Sequence, residues 1–235
     1  MSDPVANLTV VIPTAGSSPT LRGVLLQLQA LGLRWVVVQA QDKQNSDTTD
    51  PADSALQGQW LSSPASRGGQ IAAGIAWCKT DWVWVVHDDS ELNESAFMRL
   101  KALIAAEQPK WGRFNVQFRE RTLGLRLVAE MMNTRSRLSK ICTGDQGMFF
   151  HRRLLVNIGG FPTQPLMEDI EVSKQLKRRA AKDFVAAREV IITSGQRWLV
   201  RGFWATIFSM WLLRLRYYLG ANPKSLYQRY YGHRS

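Results

Sequence analysis

A chain of 235 residues with 45% apolar and 21% charged side chains can form one large α/β domain or two small ones, and its composition excludes a disordered, collagen-like or coiled-coil protein. Its two cysteines, Cys78 and Cys142, exclude a disulfide scaffold and a cysteine-based zinc site, and reduced thiols suit the cytoplasm. The net charge of +11 is unevenly spread, with 5 Lys/Arg against 10 Asp/Glu in residues 1–94 and 25 against 9 in residues 95–235.

Residues 1–8 include Asp3 and Pro4 and lack the basic stretch and apolar run of a targeting signal. Residues 8–13 (LTVVIP) read as a buried strand ended by proline. Thr20 can cap a helix whose Leu21, Val24, Leu25, Leu28 and Leu31 recur at helical spacing, with Gly32 as its stop. A second buried strand spans 35–38, a polar loop 45–51, a small-residue helix 70–79 and a third buried strand 82–86. This strand–helix–strand–loop–helix–strand order predicts a mostly parallel central sheet flanked by helices. Further on, 95–106 reads as a helix, and 112–118 as a strand with Phe114, Val116 and Phe118 on one face. A helix at 123–140 and a short strand at 147–150 follow. Next come a charged amphipathic helix at 168–179 presenting Ile170, Val172 and Leu176, a strand at 184–192, and a long aromatic helix at 202–219. One α/β body, residues 1–198, with a basic, aromatic helical extension over 199–235, is the simplest organisation.

Ligands of open α/β sheets sit outside the carboxyl ends of the strands, so the residues at those ends are the candidates. His87-Asp88-Asp89-Ser90 follows the third apolar run. Adjacent carboxylates are costly to bury uncompensated, and a hard divalent cation that also bridges substrate phosphates resolves the conflict. For an Asp-Asp pair taken alone, a turn whose aspartates cap the helix near Ser95 is the commoner reading. Glu168 and Asp169 begin a helix, where acids complement the positive end of the macrodipole; a carboxylate there also suits a base that deprotonates an acceptor hydroxyl. Arg67-Gly68-Gly69-Gln70 offers a guanidinium and backbone amides to a phosphate, or is a plain turn. His87, His151 and His233 have no spacing that suggests zinc or a nucleophile–histidine pair, and there is no Walker motif or Gly-x-Gly-x-x-Gly.

In this order, the strand at 8–13, His87-Asp88-Asp89, Thr143-Gly144-Asp145-Gln146, Gly159-Gly160-Phe161-Pro162, Leu166-Met167-Glu168-Asp169-Ile170-Glu171 and Ser194-Gly195-Gln196-Arg197-Trp198 resemble family 2 glycosyltransferases of the GT-A fold. Within them, the similarity is to the bacterial arsenosugar-biosynthesis, or radical-SAM/selenodomain-associated, subgroup. The resemblance implies a cytoplasmic, metal-dependent, inverting hexosyltransferase that moves a sugar from a nucleotide-diphosphate donor to a small-molecule or lipid-linked hydroxyl acceptor. It implies Mg²⁺ or Mn²⁺ held by Asp89, with Asp88 at the ion's water shell or the ribose. Asp169 matches the base, with Glu168 as its neighbour. Pro13, Thr14, Asp42, Arg67 and Asp88 would contact the nucleotide-sugar; Gly144, Asp145, Gln146, Arg197 and Trp198 would contact acceptor and diphosphate.

The chain also departs from that pattern. Ala15-Gly16-Ser17-Ser18 stands where such enzymes have Asn-Glu, and Gln39, or Asp42 with a shifted loop, stands where they have an acid. A catalytically silent module that binds polyanions or a membrane surface through the basic half is therefore the alternative. A nucleotidyltransferase would want a glycine-rich loop after the first strand, where only Gly16 occurs.

Residues 198–231 contain ten aromatic residues interleaved with arginines. Trp204, Phe208, Trp211 and Leu215 at helical spacing predict packing on the sheet. The other reading is an amphipathic anchor, peripheral on the anionic inner leaflet. The apolar run at 203–213 is too short to span a membrane, which takes ~20 residues, and no signature of nucleic-acid binding is present.

Overall fold

The computed structural model describes residues 4–16, 19–41, 58–196 and 203–231. Seven strands form one sheet in the order β3-β2-β1-β4-β6-β5-β7. They are β1 Leu8–Thr14, β2 Arg34–Gln41, β3 Gln59–Pro64, β4 Trp82–Val85, β5 Trp111–Phe118, β6 Phe149–His151 and β7 Phe184–Thr193. β6 alone runs against the others, pairing antiparallel with β4 and β5. The helices are α1 Pro19–Ala30, α2 Arg67–Trp77, α3 Glu94–Ala105, α4 Leu123–Ser139, α5 Arg152–Val156, α6 Glu168–Ala180, α7 Phe203–Tyr218 and α8 Pro223–Tyr231.

The central strands are apolar at nearly every position because both sheet faces are covered. In β1 and β4, Val10, Ile12, Trp82 and Trp84 pack with Leu25 and Leu28 of α1 and Phe97 and Leu100 of α3. The alternate residues Val11, Val83 and Val85 pack on the opposite face with Ile71 and Ile75 of α2 and Val172 and Leu176 of α6. Cys78 and Cys142 are unpaired in this interior, where burial pushes their thiols up to about 11 and about 12.

The expected elements are present with small shifts of boundary. β3, α5 and α8 are additions. β3 carries polar residues (QWLSSP) and α5 is five residues long, so neither has a legible period. α2 begins three residues earlier than expected, because Ser66 caps it by accepting from the Gly69 N–H at 3.2 Å.

β5 is longer than β6, and the part of its edge that β6 leaves unpaired is met by a side chain. Asn133 of α4 accepts the Val116 N–H at 2.8 Å and donates to the Val116 carbonyl at 3.1 Å, as a neighbouring strand would. Beside it, the buried Arg113 donates to the Asn133 carbonyl at 2.7 Å.

The expectation that α7 packs on the sheet is corrected. Phe208, Trp211 and Leu215 are 71%, 64% and 55% exposed; the Trp204 side chain lies outside the described residues. Both sheet faces are already occupied, so α7 docks elsewhere: Leu213, with Leu226 of α8, is buried against Met167 and Ile170 at the start of α6. Among the described residues, no helix is long and apolar enough to cross a membrane.

Candidate active site

The chain runs outward from β1 to β2 and β3 and then crosses back to β4 on the other side of β1, so the carboxyl ends of β1 and β4 flank a switch point in the sheet. A polar cavity of about 420 Å³ opens there. β1 delivers Pro13 and Thr14 to it, and the exit of β4 delivers His87, Asp88 and Asp89. The parallel register pairs Val11 with Val85, and three residues on, Thr14 Oγ1 donates to Asp88 Oδ2 at 2.7 Å. Asp89 Oδ1 accepts from Thr193 Oγ1, at the end of β7, at 3.3 Å. Gln70, in the first turn of α2, clamps the exits of β1 and β2 by donating to the carbonyls of Thr14 and Val38, both at 2.7 Å.

The aspartates do not cap the following helix. Asn93 does, accepting from the Ser95 N–H at 3.0 Å. One oxygen of each aspartate is held by threonine, which leaves Oδ1 of Asp88 and Oδ2 of Asp89 available as hard donors in the cavity. Among the described residues no third acid, histidine or cysteine joins them in a metal-type cluster. Two carboxylates suit an ion that keeps waters and takes its remaining ligands from a substrate's phosphates.

Arg67 connects this cavity to the second carboxylate pair. Its Nη2 lies 2.9 Å from His87 Nδ1, and its Nε lies 3.4 Å from Glu168 Oε1. His87 Nδ1 is also 3.1 Å from Asp145 Oδ1, so the ring accepts from Arg67 in one tautomer and donates to Asp145 in the other. Gly144 closes against this group: a Cβ there would sit 2.6 Å from His87 Nε2 and 2.8 Å from Arg67 Nη2.

Glu168 and Asp169 open α6, preceded by Met167 in the left-handed region at φ 64°. That conformation costs about 1 kcal/mol or more for a non-glycine residue, and the buried Met167 side chain, packed on Ile170, Leu213 and Leu226, holds it. Glu168 is buried. Desolvation, then the charge of Asp169, pushes its carboxyl up to about 7 against the pull of Arg67. Asp169 is half-buried, with Oδ1 accepting the Ile170 N–H at 2.7 Å and Oδ2 the Gly144 N–H at 2.9 Å. The carboxylate is thus held in one orientation at the wall of a second, larger cavity of about 1140 Å³. The two cavities share Ala15, Arg67, Gln70 and Asp145. α4 and α7 line much of the larger one, so the C-terminal extension forms part of its wall.

The structure therefore gathers Pro13, Thr14, Arg67, Asp88, Asp89, Gly144, Asp145, Glu168 and Asp169 around two joined cavities. Gln146 is the exception: it is fully buried and lines neither cavity. Its side chain accepts the Thr143 N–H at 3.1 Å and donates to Ser136 Oγ at 2.9 Å, which shapes the turn carrying Gly144 and Asp145. Asp42, Arg197 and Trp198 lie outside the described residues. Thr193 takes part although nothing in the sequence marked it, and the end of β7 is the signal that places it; His87, marked only as part of the His87-Asp88-Asp89 strand end, joins Arg67 and Asp145.

No protein-family model matches the chain, and no curated protein sequence matches it either. Solved structures do. S. aureus TarS (residues 1–349) aligns at a TM-score of 0.55 and 14% identity, over 80% of this chain and 60% of that one. A mycobacterial protein aligns at 0.56 and 16%, over 81% and 67%. Glucosyl-3-phosphoglycerate synthase from Mycobacterium tuberculosis, in complex with Mn²⁺, UDP and glucosyl-3-phosphoglycerate, aligns at 0.54 and 15%, over 80% and 70%. The fold is GT-A. The chain spans about 60% of the length of the TarS fragment it matches.

Proposed function

We propose that the protein is a metal-dependent, inverting glycosyltransferase of the family 2 type, which uses a nucleotide-diphosphate sugar as donor and a hydroxyl as acceptor. The observation that carries this reading is the joined pair of cavities: Asp88 and Asp89 line one, Asp169 lines the other, and Arg67 and Asp145 line both. Structures of the same fold have been solved with UDP-GlcNAc in TarS and with Mn²⁺ and UDP-glucose in glucosyl-3-phosphoglycerate synthase, which supports the same donor class here. Placement in the arsenosugar-biosynthesis subgroup rests on the order of motifs.

In this reading Asp88 and Asp89 would hold Mg²⁺ or Mn²⁺ at the donor site. When bound, the ion supplies positive charge that stabilises the departing diphosphate. Thr14 and Thr193 orient the two carboxylates. Pro13 and Thr14 flank the nucleotide, and Arg67 adds a fixed cation at the junction of the cavities. Asp169 takes the proton of the acceptor hydroxyl as that oxygen attacks the anomeric carbon from the face opposite the leaving group, giving inversion. Its two backbone hydrogen bonds hold it in place for that transfer. Asp42, Arg197 and Trp198 keep the nucleotide and diphosphate roles implied by the motif order.

Thermal unfolding against a panel of nucleotides and nucleotide-sugars, with and without Mn²⁺, tests the donor site. A ligand at ~100 times its dissociation constant adds about 2.7 kcal/mol, or roughly 5–10 °C in a domain of this size. The expected result is a Mn²⁺-dependent shift with one nucleotide class, abolished by Asp89→Ala. No shift with any nucleotide would instead identify a silent binding module.

A further inference from the structure

The larger cavity has two properties that proton transfer at Asp169 does not require. Its α4 and α7 walls carry exposed apolar side chains interspersed with Glu130, Thr134 and Ser139: Leu127 is 55% exposed, Leu138 78% and Trp211 64%. The same cavity is lined by Arg135 and Arg214. Nε and Nη2 of Arg135 and Nε of Arg214 are buried and have no hydrogen-bond partner among the described residues. Burial, and then repulsion by Arg214, holds the Arg135 guanidinium down to about 10. Burial likewise lowers Arg214, and Asp169 is the leading opposing charge on it. Both oxygens of Asp169 already accept backbone N–H groups. Two partly buried guanidiniums, each with at least one buried N–H lacking a partner among the described residues, thus stand beside exposed apolar side chains and the proposed base. A neutral sugar acceptor would leave the donors unmet, and a small soluble phosphate would leave the apolar side chains bare.

We propose that the acceptor is an anionic lipid-type amphiphile. Its phosphate-type head group binds Arg135 and Arg214, its hydrocarbon chain lies along Leu127, Met131, Leu138 and Trp211, and a hydroxyl beside the head group faces Asp169. This rests on the glycosyl-transfer reading and names its acceptor class. The bond from the donor's anomeric carbon to the diphosphate breaks with its electron pair on the diphosphate. A bond from that carbon to the acceptor oxygen forms, and the hydroxyl proton passes to Asp169.

Isothermal titration calorimetry of the full chain with dodecyl phosphate below its micelle concentration, beside inorganic phosphate and dodecyl maltoside, tests the assignment. Dodecyl phosphate is expected to bind at least tenfold more tightly than either control. Arg135→Gln and Arg214→Gln should reduce it to the level of dodecyl maltoside. Met131→Asp and Leu138→Asp, on exposed positions that leave the fold intact, should weaken it about tenfold and serve as the test if an arginine variant fails to fold. Equal binding of the two amphiphiles overturns the head-group assignment. Equal binding of inorganic phosphate, or undiminished binding by folded Leu138→Asp, overturns the tail assignment. The same preparations are titrated with nucleotide-sugar and Mn²⁺: a retained donor shift without preference for dodecyl phosphate defeats this inference alone, whereas no donor shift defeats the reading beneath it.

Discussion

The backbone N–H of Gly144 donates to Asp169 Oδ2 at 2.9 Å, tying the turn before β6 to the first turn of α6. Gly144 also packs directly on His87 and Arg67, so one residue sets the distance between the two carboxylate pairs. Gly144→Ala would force the imidazole or the guanidinium aside. Steady-state assay of the variant is expected to show at least a tenfold loss of transfer, with little change in melting temperature, because the residue lies outside the packed core.

Replacing the base should separate chemistry from binding. Asp169→Asn keeps an acceptor for a backbone N–H but cannot take a proton. Turnover is expected to fall by about 10²–10⁴, while the Mn²⁺-dependent thermal shift with the donor stays as in the wild type. A variant that loses donor binding as well would place Asp169 in the wrong cavity.

Glu168 gives the protein a pH-dependent stability whose sign follows from its burial. Its carboxyl is raised from 4.5 to about 7 in the folded state, so the native protein holds that proton more tightly than the unfolded chain. The associated stability is fully present below pH 4.5 and is lost as pH rises through about 7. Glu168→Gln removes this dependence. Melting temperatures of the two proteins should coincide near pH 4.5, and the variant should be the more stable above pH 7.

α7 is held by Leu213 and by Tyr217, whose hydroxyl donates to Glu171 of α6, rather than by its exposed Phe208, Trp211 and Leu215. Leu213→Ala removes a buried side chain from the cluster with Met167 and Ile170, and the cost is expected at about 2–5 kcal/mol. Trp211→Ala alters a residue that is 64% exposed and should change stability by no more than about 0.5 kcal/mol. Hydrogen exchange would locate the Leu213→Ala loss in α7, α8 and the start of α6.

Asn133 substitutes for a strand on the open edge of β5. Asn133→Ala would leave the buried Val116 N–H without its acceptor, at a cost of about 1–3 kcal/mol. Chemical denaturation should record that loss, whereas Asn133→Asp retains an acceptor for the Val116 N–H.

Local sequence determined β1, β2, β4 and α1 of the parallel half. β1, β2 and β4 are continuous apolar runs, and the leucines of α1 repeat at the helical period, so burial on both sheet faces was written into 8–13, 35–38 and 82–86. The amphipathic pattern also marked Ile170, Val172 and Leu176 of α6, all of which are buried, Val172 and Leu176 against the sheet and Ile170 against Leu213 and Leu226. Periodicity could not show β3 or α5, whose residues carry no period, nor the reversed direction of β6, which depends on long-range pairing. The aspartates at 88–89 and the Glu168-Asp169 pair were recognisable by type and order. That Arg67 and Gly144 bring them together, and that Gln146 is structural, follows from contacts between residues up to 101 positions apart in the chain (Arg67 and Glu168). The aromatic period of α7 pointed to the wrong face. Helical spacing reports which residues share a face, but only tertiary packing decides which face is covered. Here both sides of the sheet were already occupied, so Phe208 and Trp211 stayed exposed while Leu213 carried the contact.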